Sequence, residues 1–228
     1  MTTTSNILAS AKKTILSESL SISKLADLLD ANFVAAVEKI YQSKGRLVVT
    51  GIGKSAIIAQ KMVASFNSTG TPSLFLHAAE AIHGDLGMLQ KEDVVICISK
   101  SGNSPEIKVL VPLLKRFDNL LIAITGNMSS FLAQGSDIVL NTTVDNESCP
   151  NNLAPTNSTT AQLVMGDALA VCLMEMRNFK AEDFAVYQKI KNYSVQLQTP
   201  DFDEQKMLQN ILKQPYKKTG CPYNRQTR

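Results

Sequence analysis

Five short apolar runs recur along the chain, at residues 46–50, 73–76, 93–98, 120–125 and 138–140. Each is strand-length rather than helix-length, and most are followed by apolar residues at helical spacing. Strands that alternate with helices pair as a parallel sheet joined by right-handed crossovers. The expected architecture is an α/β fold, a five-stranded parallel sheet flanked by helices in a three-layer sandwich. Ligands of such sheets bind beyond the carboxyl ends of the strands. Polar residues just after each run are therefore the first place to look for a site.

The most informative of these follows the third run. Ser99-Lys100-Ser101-Gly102-Asn103-Ser104-Pro105-Glu106 separates a buried strand from a helical pattern over residues 107–117. Hydroxyls and unpaired N–H groups meet there at the positive end of a helix, which suits an anion and most simply a phosphate. The same residues also suit a plain capped turn, with Ser104 as N-cap, Pro105 at the first helical position and Glu106 in the first turn. After the first run comes Gly51-Ile52-Gly53-Lys54-Ser55. Its glycines let a backbone approach a ligand, and Lys54 adds a positive charge. The spacing is neither a P-loop nor a full dinucleotide fingerprint. After the second run lie His77 and His83, the only two histidines. His83 stands beside Gly84 and Asp85, and an imidazole there is a candidate acid or base. An irregular loop over residues 144–156 carries Glu147 and reads as a site-lining segment.

Outside the sheet, residues 5–43 read as two helices, an N-terminal hairpin over residues 1–44 that covers the sheet or a second subunit. A long, small-residue-rich helix is expected over residues 156–176, and helical spacing continues over 182–196. Residues 197–228 form a polar extension with one short amphipathic helix near 207–212. The core domain is bounded at 45–196.

Composition removes several classes of function. A net charge of +3 with no dense basic stretch argues against nucleic acid as a partner. No apolar run approaches a membrane span, and the N-terminus lacks the basic start and apolar core of a signal peptide. The four cysteines show no paired spacing and are expected as free thiols of a cytoplasmic protein, with Cys97 and Cys172 as core fillers. No cluster of His and Cys has metal-ligand spacing, so no metal is expected.

Taken together, several blocks resemble one family. Gly51-Ile-Gly-Lys-Ser55, His83-Gly-Asp-Leu-Gly-Met88, the Ser99–Glu106 stretch, Glu147-Ser-Cys-Pro150 and Leu153-Ala-Pro-Thr-Asn-Ser-Thr-Thr160 are similar to the sugar isomerase (SIS) domain of bacterial arabinose-5-phosphate isomerases. Met165-Gly-Asp-Ala-Leu-Ala170 and Ala181-Glu-Asp-Phe-Ala185 fit the same pattern. The resemblance implies interconversion of D-ribulose 5-phosphate and D-arabinose 5-phosphate, the first step towards the acidic sugar Kdo of lipopolysaccharide and some capsules. It implies no cofactor. It assigns the phosphate to Ser55, Ser99, Ser101 and Ser104, and the catalytic set to His83, Glu147, Glu106 and Lys54. His83 is the leading base and Glu147 the second candidate, poised by burial. Gly53, Lys100, Asn103 and His77 complete the expected substrate contacts. A homotetramer with sites at subunit interfaces is implied, and Kdo or CMP-Kdo is expected as a feedback ligand at the site mouth.

Two departures stand out. Family members carry His-Pro-Gly-Gly after the block that ends here at Ala185, where this chain reads Val186-Tyr-Gln-Lys-Ile190. Many members also append CBS modules, which are not expected here. The alternative function is a regulatory module that binds a phosphosugar without turnover.

Overall fold

The structure is a computed structural model that describes residues 4–180 and 183. The chain divides into two compact units, Met1–Phe179 and Lys180–Arg228. Of the second unit only Lys180 and Asp183 are described, and there the Lys180 N–H donates to Asp183 Oδ2 at 2.9 Å. The helices expected over 182–196 and near 207–212, and the departure at 186–190, lie outside the described residues.

In the first unit the elements run α1 (Thr4–Asp27), α2 (Ala31–Gln42), β1 (Leu47–Gly51), α3 (Lys54–Ser68), β2 (Ser73–His77) and α4 (Ala78–Ala81). A 3₁₀ turn (Asp85–Met88) precedes β3 (Val94–Ile98), α5 (Pro105–Arg116), β4 (Leu120–Thr125), α6 (Phe131–Gly135), β5 (Ile138–Asn141) and α7 (Asn157–Met176). All five strands are parallel, in the order β2-β1-β3-β4-β5. That order is the flavodoxin-like one, and it puts the topological switch point between β1 and β3. β1 and β3 are buried along their whole length, while the edge strands β2 and β5 are only partly covered.

Side chains alternate across the sheet, so each strand feeds two cores. Val49, Ile96, Ile98, Ile122, Ile124 and Leu140 point to one face, under α2, α3 and α7. Val48, Val95, Cys97, Leu121 and Ala123 point to the other, under α4, α5 and α6. Each fully buried Val, Leu or Ile contributes about 1.5–3 kcal/mol, so the two cores together outweigh any single polar contact. Cys97 is a core filler as expected, and burial pushes its thiol up to about 12. Cys172 packs against the first core.

Two boundaries differ from those the sequence suggests. β1 ends at Gly51 rather than Thr50, and α3 begins at Lys54 rather than Ala56. The reason is Gly53, which caps α3 with φ +58°, a conformation open to glycine at little cost. Lys54 and Ser55 thus belong to the first turn of a helix rather than to a loop.

At the amino end of the sheet, the partly exposed Arg46 pairs with the buried Asp93. Asp93 accepts from the Arg46 backbone N–H at 2.8 Å and from its Nη2 at 2.7 Å. Burial alone would raise the Asp93 carboxyl, but the Arg46 and Gln90 hydrogen bonds bring it below its ordinary value. This pair fixes the end of the sheet remote from the candidate site.

Candidate active site

The carboxyl ends of β1 and β3 are level, because Gly51 pairs with Ile98. The turn after β3 therefore stands beside the first turn of α3. The β3 turn is shaped by its own hydroxyls and by α6. Ser99 is buried, and its Oγ accepts from the Gly102 N–H at 3.1 Å. Gly102 has φ +62°, and a Cβ there would meet Ser130 Oγ at 2.2 Å. Only glycine lets the turn lie this close to α6. Asn103 Oδ1 accepts from the Phe131 N–H at 3.0 Å, so that side chain serves the start of α6. Ser101 is exposed, and its Oγ accepts from the Asn103 N–H at 3.3 Å.

Ser104 occupies the N-cap position of α5, with Pro105 behind it, but its side chain makes no capping hydrogen bond. The Ser104 Oγ is buried and has no partner. The expectation that this hydroxyl caps the helix is thus corrected. Its backbone is extended as a cap requires, while its hydroxyl is left unused beside the free N–H groups of the first turn. An unsatisfied buried hydroxyl costs stability, and a bound anion would relieve it.

Two long-range contacts gather the site around the amino end of α7. Ser55 Oγ donates to Oε1 of Gln162, which is buried in the second turn of α7, at 3.2 Å. Lys100 Nζ donates to Glu147 Oε1 at 2.6 Å. The Glu147 side chain is wholly buried, whereas that of Lys100 is 45% exposed. Glu147 Oε2 also accepts from the Thr156 N–H at 2.8 Å, Thr156 Oγ1 at 3.1 Å and the Ser158 N–H at 3.2 Å. Ser158 Oγ donates to Oε1. Burial alone would raise the Glu147 carboxyl, but Lys100, Ser158 and Thr156 more than offset it and hold it at about 2. The expectation that burial poises Glu147 as a base is corrected here. Its donors instead keep it ionised and fill its lone pairs, so it is a poor proton acceptor in this arrangement.

The remaining candidates stay apart. Lys54, His83 and Glu106 make no side-chain hydrogen bond or ion pair with any described residue, and Lys54 and His83 are exposed. Nothing lies within 4 Å of where a Gly53 Cβ would stand, so the space above this turn is open. His77 ends the edge strand β2, its ring edge-on to Phe75 with centroids 6.1 Å apart, and its Nδ1 is buried without a partner. The structure thus joins Ser55, the Ser99–Ser104 turn, Lys100 and Glu147 through α7, and leaves His83 exposed just after α4, outside that network.

The SIS domain family matches residues 39–172, the whole sheet with α3, α5 and most of α7. The chain belongs to that family. The arabinose 5-phosphate isomerase KdsD of Shigella flexneri is 54% identical over 165 residues, which is 72% of this chain and 50% of that protein. The KdsD of Pseudomonas aeruginosa is 50% identical over 176 residues, 77% of this chain and 54% of that protein. The chain spans about half the length of the curated relatives it matches. A solved Escherichia coli CFT073 protein in complex with arabinose 5-phosphate superposes with a TM-score of 0.79 at 39% identity, covering 82% of this chain and 99% of that one. At 18% identity, phosphoheptose isomerase GmhA of Neisseria gonorrhoeae shares the fold, with a TM-score of 0.61 over 73% of this chain and 98% of that one.

Residues of this SIS domain that sequence reasoning passed over lie at the N-cap and in the first two turns of α7. Ser158 and Thr156 hold Glu147, and Gln162 holds Ser55. A signal was present: Thr156-Asn157-Ser158-Thr159-Thr160 is a polar cluster at the head of an otherwise apolar helix. Asn157 extends the network, donating to Ser17 Oγ of α1 at 2.8 Å, while Thr160 Oγ1 donates to Glu18 at 3.0 Å. No helix among the described residues is long and apolar enough to cross a membrane.

Proposed function

We propose that the chain interconverts D-ribulose 5-phosphate and D-arabinose 5-phosphate, as a cytoplasmic step towards Kdo. The observation that carries this reading is the unpartnered Ser104 hydroxyl, buried at the amino end of α5 beside Ser99 and Ser101. A phosphate seated there would accept from that hydroxyl, from the N–H groups of the α5 first turn and from Ser55. The naming of relatives at 50–54% identity and the arabinose 5-phosphate complex of the E. coli CFT073 protein support the choice of pentose phosphate.

The chemistry moves one proton between C1 and C2 through a cis-enediolate. It requires a base for the carbon-bound proton and a donor for the developing oxyanion. His83 is the base of this scheme, exposed and free to reach the pocket of a neighbouring subunit. Lys54, exposed above the open Gly53 turn, offsets negative charge on the enediolate, and Glu106 in the first turn of α5 moves hydroxyl protons. The scheme uses no cofactor. The dianionic phosphate supplies binding energy away from the reacting carbons.

The same reading includes a homotetramer. Ile7, Leu8, Ile15, Leu16 and Leu20 of α1 are more than half exposed, and Ile57 and Val171 add further uncovered apolar surface. Closed symmetric assembly is the usual way to bury such faces. It also includes competition by Kdo or CMP-Kdo at the site mouth, where Lys54 and the serines accept an acidic sugar. The deciding experiment is turnover of ribulose 5-phosphate by the purified chain, with light scattering on the same sample. Binding of the pentose phosphate without turnover would instead leave a sensing module.

A further inference from the structure

The Lys100–Glu147 pair has a composition that neither a structural salt bridge nor a general base explains. Glu147 meets five donors with about four lone-pair sites, so it has no capacity left for a substrate proton. Lys100 is the opposite case. Its ammonium has three donors, and Glu147 takes one. No other described residue takes the rest. Its side chain is half exposed, and its residue stands between Ser99 and Ser101 in the turn that follows β3. The main chain at that point is also held: Lys100 O accepts from the Gly126 N–H at 3.0 Å and from Thr125 Oγ1 at 3.3 Å. A flexible lysine is thereby fixed at both ends of its side chain, with two charged N–H groups left open.

We infer that Lys100 is the cation that receives the substrate's phosphate, and that Glu147 is a positioning residue which holds Lys100 against the amino end of α7. The inference rests on the pentose phosphate reading and deepens it. Glu147 sets where the ammonium stands, and α7 sets where Glu147 stands, through Thr156 and Ser158. The groups that face Glu147 are Lys100 from the β3 turn, the N–H groups and hydroxyls at the head of α7, and the thiol of Cys149 from its own loop. Of these only Lys100 carries a formal positive charge. Fixing a lysine in advance lowers the side-chain entropy lost on binding, which offsets the part of the ammonium's field that the carboxylate behind it cancels.

The test compares Lys100→Gln, Lys100→Arg and Glu147→Gln with the wild-type chain. Steady-state kinetics with ribulose 5-phosphate are read beside calorimetric titration with inorganic phosphate. Lys100→Gln leaves the bonds from α7 to Glu147 in place and keeps a side-chain amide that can donate to it, and Lys100→Arg keeps the charge, so the pair of variants separates lost anion binding from lost folding. It is expected to raise KM and weaken inorganic phosphate binding by roughly 10- to 100-fold, the loss of one charged hydrogen bond, with kcat changed far less. Glu147→Gln should move the same two quantities in the same direction, and Lys100→Arg should restore most of both. Unchanged phosphate affinity in Lys100→Gln overturns the inference. So does Glu147→Gln that loses kcat by about 100-fold or more at unchanged phosphate affinity, because that is the signature of a proton-transfer group. If the wild-type chain turns over no pentose phosphate yet the phosphate titrations follow the expected pattern, the isomerase reading fails and the pair stands.

Discussion

Ser55 Oγ and Gln162 Oε1 stand 3.2 Å apart, joining the first turn of α3 to the second turn of α7. A serine hydroxyl has one proton to give. While Gln162 accepts it, Ser55 cannot donate to a phosphate. An amide turned through 180° would present Nε2 to Ser55 instead and release the hydroxyl proton to the ligand.

Gln162 is accordingly expected to tune phosphate binding without touching the substrate. Gln162→Leu, which fills the buried position, should raise KM about 3- to 10-fold, the worth of one ordinary hydrogen bond. Gln162→Glu can only accept when ionised, so it should raise KM further. Equal KM for both variants and wild type would mean that Ser55 does not hold the phosphate.

Ser104→Ala should separate stability from function. The hydroxyl is buried and unpaired in the free protein, so its removal should leave Tm unchanged or raise it. Together with Ser101→Ala it should raise KM strongly, each lost bond to a charged group being worth about 1.5–3 kcal/mol. A fall in Tm with KM unchanged would place the phosphate elsewhere.

His83→Gln should lower kcat by roughly 10²- to 10⁴-fold and leave substrate affinity nearly intact. His83 is exposed with no described side-chain partner, so the fold has little to lose. A kcat within about threefold of wild type, far short of the roughly 10²- to 10⁴-fold that a general base supplies, would remove it from the mechanism.

Acid should act through Glu147. Its folded pKa of about 2 lies below its ordinary value of 4.5, so the stability it contributes is fully present above about pH 4.5. That contribution, about 3 kcal/mol at most, is lost as pH falls towards 2. Asp93 works in the same sense. Urea unfolding of wild type and Glu147→Gln should therefore show a gap at pH 7 that narrows between about pH 4.5 and 3. A gap that stays constant over this range would contradict the link between Glu147 ionisation and folding.

Most of the sheet was legible in the chain itself because burial on both faces demands unbroken apolar runs. Val94–Ile98 and Leu120–Thr125 are too short for a helix and rich in β-branched residues, which favours interior strands. The long helix over 156–176 matches α7 within a residue, since apolar and small side chains fill most of it and no proline breaks it. Serines and glycines at strand ends likewise marked the rim, because polar residues between buried elements have few other places to go. The boundary at Lys54 was harder, since it depends on a single glycine at φ +58° rather than on any pattern of polarity.

The roles of the charged residues were not legible. The family resemblance made Glu147 a possible base and Lys100 one substrate contact among several, because a sequence lists donors without saying which ones converge. Chain folding brings Lys100 to Glu147 across 47 positions and Ser55 to Gln162 across 107. Proton affinity follows from that convergence: an isolated buried carboxylate is driven towards protonation, and one ringed by an ammonium and a helix terminus is held ionised. The periodicity of apolar side chains determined the layers and the rim, while the tertiary arrangement alone decided which groups on that rim are spent on each other and which remain open to a ligand.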